Sequence, residues 1–313
     1  MKRFKNILYF ADGATETCSA LERAMTLART NQARLTVLDV LGETESPAEL
    51  ERRFGMDLDQ ILRERRREAL EGLADPISEE DAVVYTRVLT GIPFVEVIRA
   101  VLRNGYDLVI KAARPPEGFS ERLLGGTDMH LLRKCPCPVW IERPEAAIPY
   151  RTVLAAVDPG DTQGQGCARL VMDLAGSLAR RESARLVVVH AWRLYGESML
   201  RSGRARISSL EVDQMLEQTR QRHQAQLEEL LGAYGMNSDD PDVHLVNGEP
   251  VPAILGLSEA LPADLVVMGT VGRIGIPGFF IGNTAEEVLE TTRASILAVK
   301  PEGFVSPVAV RLN

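Results

Sequence analysis

The sequence predicts two tandem α/β domains of one kind, each a doubly wound (Rossmann-like) sheet of five parallel strands. Three observations predict this fold class: an internal repeat that spans most of the chain, short strands that are apolar throughout, and amphipathic helical segments between them. A length of 313 residues also suits two domains of about 150 residues better than one.

The internal repeat shows that the chain contains two copies of one domain. The aligned segments are residues 5–12 with 151–158, 33–38 with 184–189, and 91–127 with 248–284, at offsets of 146, 151 and 157. A constant offset across the last and longest segment is hard to obtain by chance. We therefore predict one domain at 1–146 and a second at 147–313, joined by a proline-containing linker near 143–150.

Each repeat alternates predicted strands with predicted helices. The strands are short runs rich in β-branched residues, at about 5–11, 33–41, 82–88, 106–111 and 137–141, then 151–157, 184–192, 242–246, 263–268 and 295–299. The longest amphipathic helices are predicted at about 58–74 and 209–233. Strands that lack polar alternation indicate a parallel sheet covered by helices on both faces.

Composition and charge exclude several classes of protein. With 45% hydrophobic and 26% charged residues the chain is globular, and a net charge of -8 gives no support for nucleic-acid binding. The apolar runs are too short for a membrane span or a signal-peptide core. Four cysteines do not make a disulfide framework, and Cys135 and Cys137 are too few for a zinc site. We expect a cytoplasmic protein that binds neither nucleic acid nor membranes.

The place to look for a ligand is the residue that follows each strand, where an open parallel sheet binds its ligands. In the second repeat Gly269 and Gly272 follow the fourth strand, and nine residues separate Gly272 from Gly282, which stands just before a predicted helix. Glycines allow close approach of the backbone, and the N–H groups of a helix start attract an anion. This pattern favours a phosphate site, although glycine turns around an ordinary strand and helix would look the same.

The helix start after Gly282 has a predicted cap. Asn283 or Thr284 is a suitable N-cap residue, and Glu287 is placed three residues after Thr284 to complete a capping box. The loop before it, residues 274–281, is unusually apolar, which fits either burial or closure over a ligand or partner.

The two repeats resemble the universal stress protein family over essentially the whole chain. Residues 269–272 followed by 282–284 are similar to that family's nucleotide motif, Gly-x2-Gly-x9-Gly-Ser/Thr, with Asn283 in place of the Ser or Thr. Residues 127–136 and 282–286 resemble the tandem E-type bacterial members in particular. The resemblance implies a stress-response protein that binds ATP or a related adenine nucleotide in its second domain and acts as a sensor or regulator.

The predicted nucleotide-binding residues follow from this resemblance and from their positions after the strands. They are Ala156, Val157, Asp158, His190, Ala191, Met268, Gly269, Gly272, Arg273, Gly282, Asn283 and Thr284. His190 could instead be a purely structural residue. Asp158 and Asp161 could hold Mg²⁺ through water or simply cap the next helix.

The first repeat departs from the motif. Ala112 and Pro115 occupy the positions of Gly269 and Gly272, and proline has no N–H group to offer a phosphate. We expect no triphosphate binding in the first domain. The sequence contains no P-loop, no Gly-x-Ser-x-Gly and no His-Glu-x-x-His motif, which makes a dedicated enzyme the weaker hypothesis. Two alternatives to a nucleotide-binding regulator are a slow ATP-hydrolysing or adenylating enzyme and a nucleotide-free scaffold.

The fifth strand of each repeat would leave an exposed apolar edge, and such edges associate. We expect the strands at 137–141 and 295–299 to pair with each other within the chain as an intramolecular pseudo-dimer, and the sequence leaves a further homodimer open.

Overall fold

The structure is a computed structural model. It describes residues 4–42, 52, 57–78, 83–114, 124–160, 165–202, 207–270 and 282–309.

In the described residues of the first repeat, five strands alternate with helices. Its elements are β1 (Asn6–Phe10), α1 (Ser19–Asn31), β2 (Arg34–Leu41), α2 (Leu58–Ser78), β3 (Val84–Thr90), α3 (Pro93–Asn104), β4 (Leu108–Ala112), α4 (Gly126–Lys134) and β5 (Val139–Glu142). The five predicted strands are confirmed, each within about two residues of its predicted ends.

The second repeat follows the same order with one additional short helix. Its elements are β6 (Thr152–Ala156), α5 (Gln165–Glu182), β7 (Arg185–Trp192), α6 (Glu197–Arg201), α7 (Ser209–Gly232), β8 (Val243–Asn247), α8 (Pro250–Ala260), β9 (Leu265–Gly269), α9 (Asn283–Thr291) and β10 (Ser295–Val299). The long helix predicted at 209–233 is α7, and the five predicted strands are again confirmed.

The described residues form two compact units. The first contains those of Met1–Ile148 and Ser295–Asn313, and the second contains those of Pro149–Gly275 and Ile281–Ala294. The last strand of the second repeat, β10, therefore belongs to the first unit. The boundary between repeat domains at residues 146 and 147 stays a prediction.

The sheet of the first unit has the strand order β3-β2-β1-β4-β5-β10. The pairings of the first five strands are parallel, and β10 pairs antiparallel with β5, with Leu297 opposite Trp140. This confirms the expected pairing of the two fifth strands. Because the strands run outward from β1 in both directions, right-handed crossovers place helices on both faces.

The second unit contains four parallel strands in the order β9-β6-β7-β8. The apolar residues of β9 are buried: Leu265, Val266 and Val267 have no exposed surface. In the first unit Leu108, Val109 and Ile110 of β4 are equally buried, which is the burial that strands without polar alternation predict. Among the described residues, no helix combines the length and hydropathy that crossing a bilayer requires.

Candidate functional site

The carboxyl ends of three adjacent strands meet at one edge of the second unit. Strand β6 lies between β7 and β9, since Ala156 is in register with both Val189 and Met268. The winding direction reverses at β6, which is where open α/β sheets bind ligands. The sequence-predicted residues 156–158, 190–191 and 268–269 therefore lie at the same edge.

The start of α9 joins this edge through a backbone hydrogen bond. The N–H of Gly282 donates to the carbonyl of Thr270, at 3.0 Å, so the helix begins directly beside the end of β9. Thr270 is fully buried. Gly282, Asn283 and Thr284 are thus brought to the strand ends, as the motif predicts.

The predicted capping box at α9 is wrong. The helix begins at Asn283, so its N-cap residue is Gly282, which has no side chain to accept a first-turn N–H. The third helical position, where a capping box needs Glu or Gln, is then Ala285 and not Glu287. The helix starts earlier than predicted because Asn283 and Thr284 adopt helical backbone conformations instead of flanking it.

Gly269 lies against the first turn of α5. A Cβ atom at Gly269 would be 2.7 Å from the Sγ of Cys167, closer than such atoms approach in proteins. The glycine at the end of β9 therefore permits close contact between a helix and a strand, in addition to any role toward a ligand. The sequence pattern did not identify Cys167 as a neighbour of this edge.

His190 is buried, with 2% of its surface exposed, and is hydrogen-bonded on both ring nitrogens. Its Nδ1 is 3.0 Å from the carbonyl oxygen of Val157, and its Nε2 is 2.9 Å from the Nδ1 of His223 on α7. Sequence reasoning did not connect His223 to the site. The repeat offsets of 151 and 157 could have done so, because they align these two histidines with Asp39 and Arg66.

The remaining predicted residues differ in exposure. Val157 is buried and its N–H donates to Val189, whereas Asp158 is exposed and Ala191 is half-buried. Gly272, Arg273, Asp161 and the apolar segment 274–281 lie outside the described residues. In the part of the chain that the structure describes, no three His, Cys, Asp or Glu side chains are grouped to hold a metal ion, so the Mg²⁺ prediction finds no support there.

The corresponding edge of the first unit contains a buried cluster of charges. Lys111 is 1% exposed, and its ammonium is 2.9 Å from a carboxylate oxygen of Asp12 and 2.6 Å from one of Asp128. Arg114 approaches Asp12 at 3.7 Å and donates its backbone N–H to Asp128. Burial raises the pKa of Asp128, and the neighbouring Lys111 opposes that rise.

Asp128 occupies the third position of α4, whose N-cap residue is Gly125. Its counterpart at the offset of 157 is Ala285, the third residue of α9, and the counterpart of Lys111 is Met268. The first unit therefore supplies its own anion at this helix start, and the second unit has an uncharged residue at each of these two positions.

Asp39 and Arg66 form an ion pair in the first unit, where the second unit has its two histidines. Arg66 also donates to the carbonyl of Ala14, at 2.7 Å, and the N–H of Gly13 donates to Asp39. The Asp39–Arg66 pair and the His190–His223 pair therefore make the same connection in the two repeats. Each links the second strand and the long helix to the loop that follows the first strand.

Comparison with known proteins decides the family. The model of the universal stress protein family matches residues 3–143 and 149–300, one match for each repeat. The chain belongs to the universal stress protein family. This places it among stress-response proteins and confirms the resemblance on which the site prediction was based.

Two relatives and one solved structure show how far the likeness extends. Universal stress protein E of Escherichia coli K12 is 32% identical over 218 residues, which cover 69% of this chain and 67% of the relative. The universal stress protein E homolog of Haemophilus influenzae is 26% identical over 314 residues, which cover 96% of this chain and 98% of the relative. A crystal structure of a functionally unknown protein from Pseudomonas aeruginosa PAO1 has a TM-score of 0.71 at 25% identity, with 96% and 94% of the two chains covered.

Proposed function

We propose that the second unit binds ATP or a related adenine nucleotide and that the protein regulates a stress response through this binding. The observation that carries the proposal is the contrast at the two helix starts. Asp128 fills the start of α4 with a carboxylate, whereas the same position in α9 is Ala285. The position that holds a carboxylate in one repeat has an uncharged side chain in the other, which supports binding of an external anion there.

The electrostatics of α9 favour a phosphate group. The first N–H groups of a helix have no partner within it, and a glycine N-cap provides no side-chain oxygen for them. The helix dipole adds a partial positive charge at the same end. Phosphates bound there would receive backbone hydrogen bonds from the turn at residues 282–284.

The base and ribose would lie along the ends of β6 and β7. Ala156 and Ala191 present small side chains there, and the exposed carboxylate of Asp158 can accept hydrogen bonds from ribose hydroxyls. Phosphate contacts alone do not overcome the entropy lost on association, so the apolar contacts of the base must contribute. We expect micromolar affinity, about -8 kcal/mol.

The test is a calorimetric titration of the full chain with ATP, in which two variants of one buried position are compared. Ala285→Asp installs the carboxylate of the first unit, and Ala285→Asn installs a neutral group of the same shape. Charge repulsion should weaken ATP binding in the first variant by more than about tenfold relative to the second. Equal ATP affinity in the two variants would contradict binding of phosphates at this helix start.

A double variant distinguishes loss of ATP binding from loss of folding. Met268→Lys combined with Ala285→Asp transfers both partners of the first unit's ion pair and leaves no unpaired buried charge. We expect it to retain its circular dichroism spectrum and to lose ATP binding. A turnover assay on the same samples measures any hydrolysis, which would favour the enzyme alternative over a regulator.

In this proposal the first unit binds no triphosphate. Lys111 and Asp128 occupy its version of the site, and the pairing of β5 with β10 supports an intramolecular pseudo-dimer. The ATP titration should therefore give a stoichiometry of about one nucleotide per chain, and two equivalent sites would contradict the proposal.

A further inference from the structure

Two thiols are in contact at the junction between α4 and β5 of the first unit. Cys135 is the residue directly after α4, and its sulfur is 3.5 Å from that of Cys137, so that one thiol is hydrogen-bonded to the other. Neither residue is in a disulfide. Because Cys137 comes just before β5, the pair lies at the amino-terminal edge of the sheet, opposite the edge at which such sheets bind ligands.

The local sequence holds the two thiols on the same side of the chain. Each cysteine is followed by a proline, Pro136 or Pro138, and a residue before proline is restricted to extended backbone conformations. Cys135 has such a conformation, with φ -69° and ψ 131°. Side chains two residues apart on an extended backbone point to the same side, so the sequence Cys-Pro-Cys-Pro favours contact between the two sulfurs.

The second repeat makes the same junction without sulfur. At the offset of 157 the counterparts of Cys135 and Cys137 are Thr292 and Ala294. Thr292 follows α9 with φ -66° and ψ 139°, close to the values of Cys135, and the N–H of each donates to a carbonyl of its helix at 2.9 Å. The turn from helix to strand therefore requires cysteine at neither position.

The two thiols differ in their access to solvent. Cys137 is half-buried, whereas Cys135 has no exposed surface. The hydrogen bond with Cys135, burial and the nearby carboxylate of Asp107 raise the pKa of the Cys137 thiol, which lowers its thiolate fraction and slows its reaction with an oxidant. A small oxidant can reach Cys137, and Cys135 is already positioned to react with the oxidised sulfur.

We propose that Cys135 and Cys137 form a redox-active pair that hydrogen peroxide converts to an intramolecular disulfide. The Cys137 thiolate attacks the peroxide: an S–O bond forms, the O–O bond breaks, and the hydroxide that leaves takes up the thiol's proton as water. The sulfur of Cys135 then attacks that of Cys137: the S–S bond forms, the S–O bond breaks, and hydroxide leaves with the Cys135 proton as a second water. The two sulfurs lose two electrons, and one peroxide is reduced to two waters.

The disulfide would be a reversible modification and not a stabilising cross-link. The two sulfurs need to approach by about 1.5 Å to reach the bond length of a disulfide. The loop that it closes contains only Pro136, so the cross-link removes little entropy from the unfolded chain. We therefore expect a dithiol reductant to restore both thiols. The inference goes beyond the proposed nucleotide binding and does not depend on it.

The experiment treats the full chain with excess hydrogen peroxide and then labels the remaining thiols with N-ethylmaleimide. Peptide mass spectrometry should show a disulfide within the peptide that contains Cys135 and Cys137, and a dithiol should restore labelling at both. Cys18 and Cys167 are the internal references, because they are also half-buried and each lies at an element with no second cysteine. The pair should lose its labelling about tenfold faster than these two residues.

Three variants separate the roles of the two thiols. In Cys135→Ser, peroxide should leave Cys137 as a sulfenic acid that dimedone traps. In Cys137→Ser, the buried Cys135 should lose its labelling about tenfold more slowly than Cys137 does in the first variant. The matched control, Cys135→Thr with Cys137→Ala, installs the residues of the second repeat. It should keep its circular dichroism spectrum and form no disulfide.

Persistence of both thiols of the pair under excess peroxide would overturn the inference. So would equal oxidation of all four cysteines, or a disulfide that joins two chains on a non-reducing gel. Because none of these measurements contains nucleotide, such a failure would leave the proposed function unchanged, and a failure of ATP binding would leave the thiol chemistry unchanged.

Discussion

The sheet edges after β1 and after β6 have the same topology and opposite chemistry. After β1 the edge is occupied by a charged cluster of Lys111, Asp12 and Asp128, and after β6 the two aligned partners of that cluster's buried pair are Met268 and Ala285. One edge contains ion pairs of the protein itself, and the other has an uncharged residue at each of the two aligned positions. In the proposed function, one copy of the duplicated domain keeps a ligand site and the other uses the same position for stability.

The same comparison applies to the links between the second strand and the long helix. An aspartate and an arginine form the link in the first unit, and two histidines form it in the second. In both places the first unit has an ion pair where the second unit has uncharged side chains or histidines. The variants below exchange the chemistry of the two units or test how the second unit is packed and capped.

The largest expected effect is that of Lys111→Met, which places the second unit's residue in the first unit. Removal of the ammonium leaves the buried Asp128 without its counter-ion, and breaking a buried pair in this way destabilises proteins by about 3–5 kcal/mol. The free energy of unfolding in urea at pH 7 measures the loss. The deficit should shrink at pH 5, because burial already raises the pKa of Asp128 and the protonated carboxyl needs no counter-ion.

The matched control is Lys111→Met combined with Asp128→Ala, which gives the first unit both residues of the second. This double variant should recover most of the lost stability, since no buried charge is left unpaired. If the single and double variants were equally unstable, the charge explanation would be refuted in favour of a packing defect.

An intermediate effect is expected for Gly269→Ala at the edge of the second unit. The new methyl group would overlap the Sγ of Cys167, and overpacking of this kind costs about 1–3 kcal/mol. The first unit already has Ala112 at this position, and there Cys18 lies 3.3 Å from the hydroxyl of Tyr9. Unfolding free energies of the single variants and of Gly269→Ala with Cys167→Ala form a double-mutant cycle. Removal of the thiol should relieve the strain, and additive effects would show that the contact does not matter.

The smallest losses of stability are expected from substitutions at the starts of two helices of the second unit. Ser208 and Glu211 form a capping box at α7, whereas α9 has a glycine N-cap. Ser208→Ala should destabilise the protein by about 1 kcal/mol, and Glu287→Ala in α9 by less than about 0.5 kcal/mol. Thermal unfolding measures both, and a comparable loss from Glu287→Ala would indicate a capping role for that residue.

The Ser208 effect should also depend on pH. Hydrogen bonds from the backbone and hydroxyl of Ser208 lower the pKa of Glu211. A carboxyl with a lowered pKa stabilises the fold above its ordinary pKa and loses that contribution as the pH falls. The difference between wild type and Ser208→Ala should therefore narrow between pH 7 and pH 3.

The sequence was a good guide to regular structure and a partial guide to the site. Strands and long helices depend on periodic burial, which can be read along the chain, and all ten predicted strands are present. The capping prediction at α9 was wrong because a one- or two-residue shift in the helix start changes which residue is at the third position. Cys167 and His223 were missed because their contacts with Gly269 and His190 join residues far apart in the chain.

The sequence by itself determined the duplicated fold, the order of strands and helices, and the family, and it predicted the edge at which a ligand site would lie. These features follow from local periodicity and from comparison of one half of the chain with the other. Only the tertiary structure decided that Lys111 and Asp128 form a buried pair, that β10 belongs to the first unit, and that two histidines share a hydrogen bond. Pairings of this kind depend on distances in space between side chains, and a linear pattern of residue types does not specify those distances.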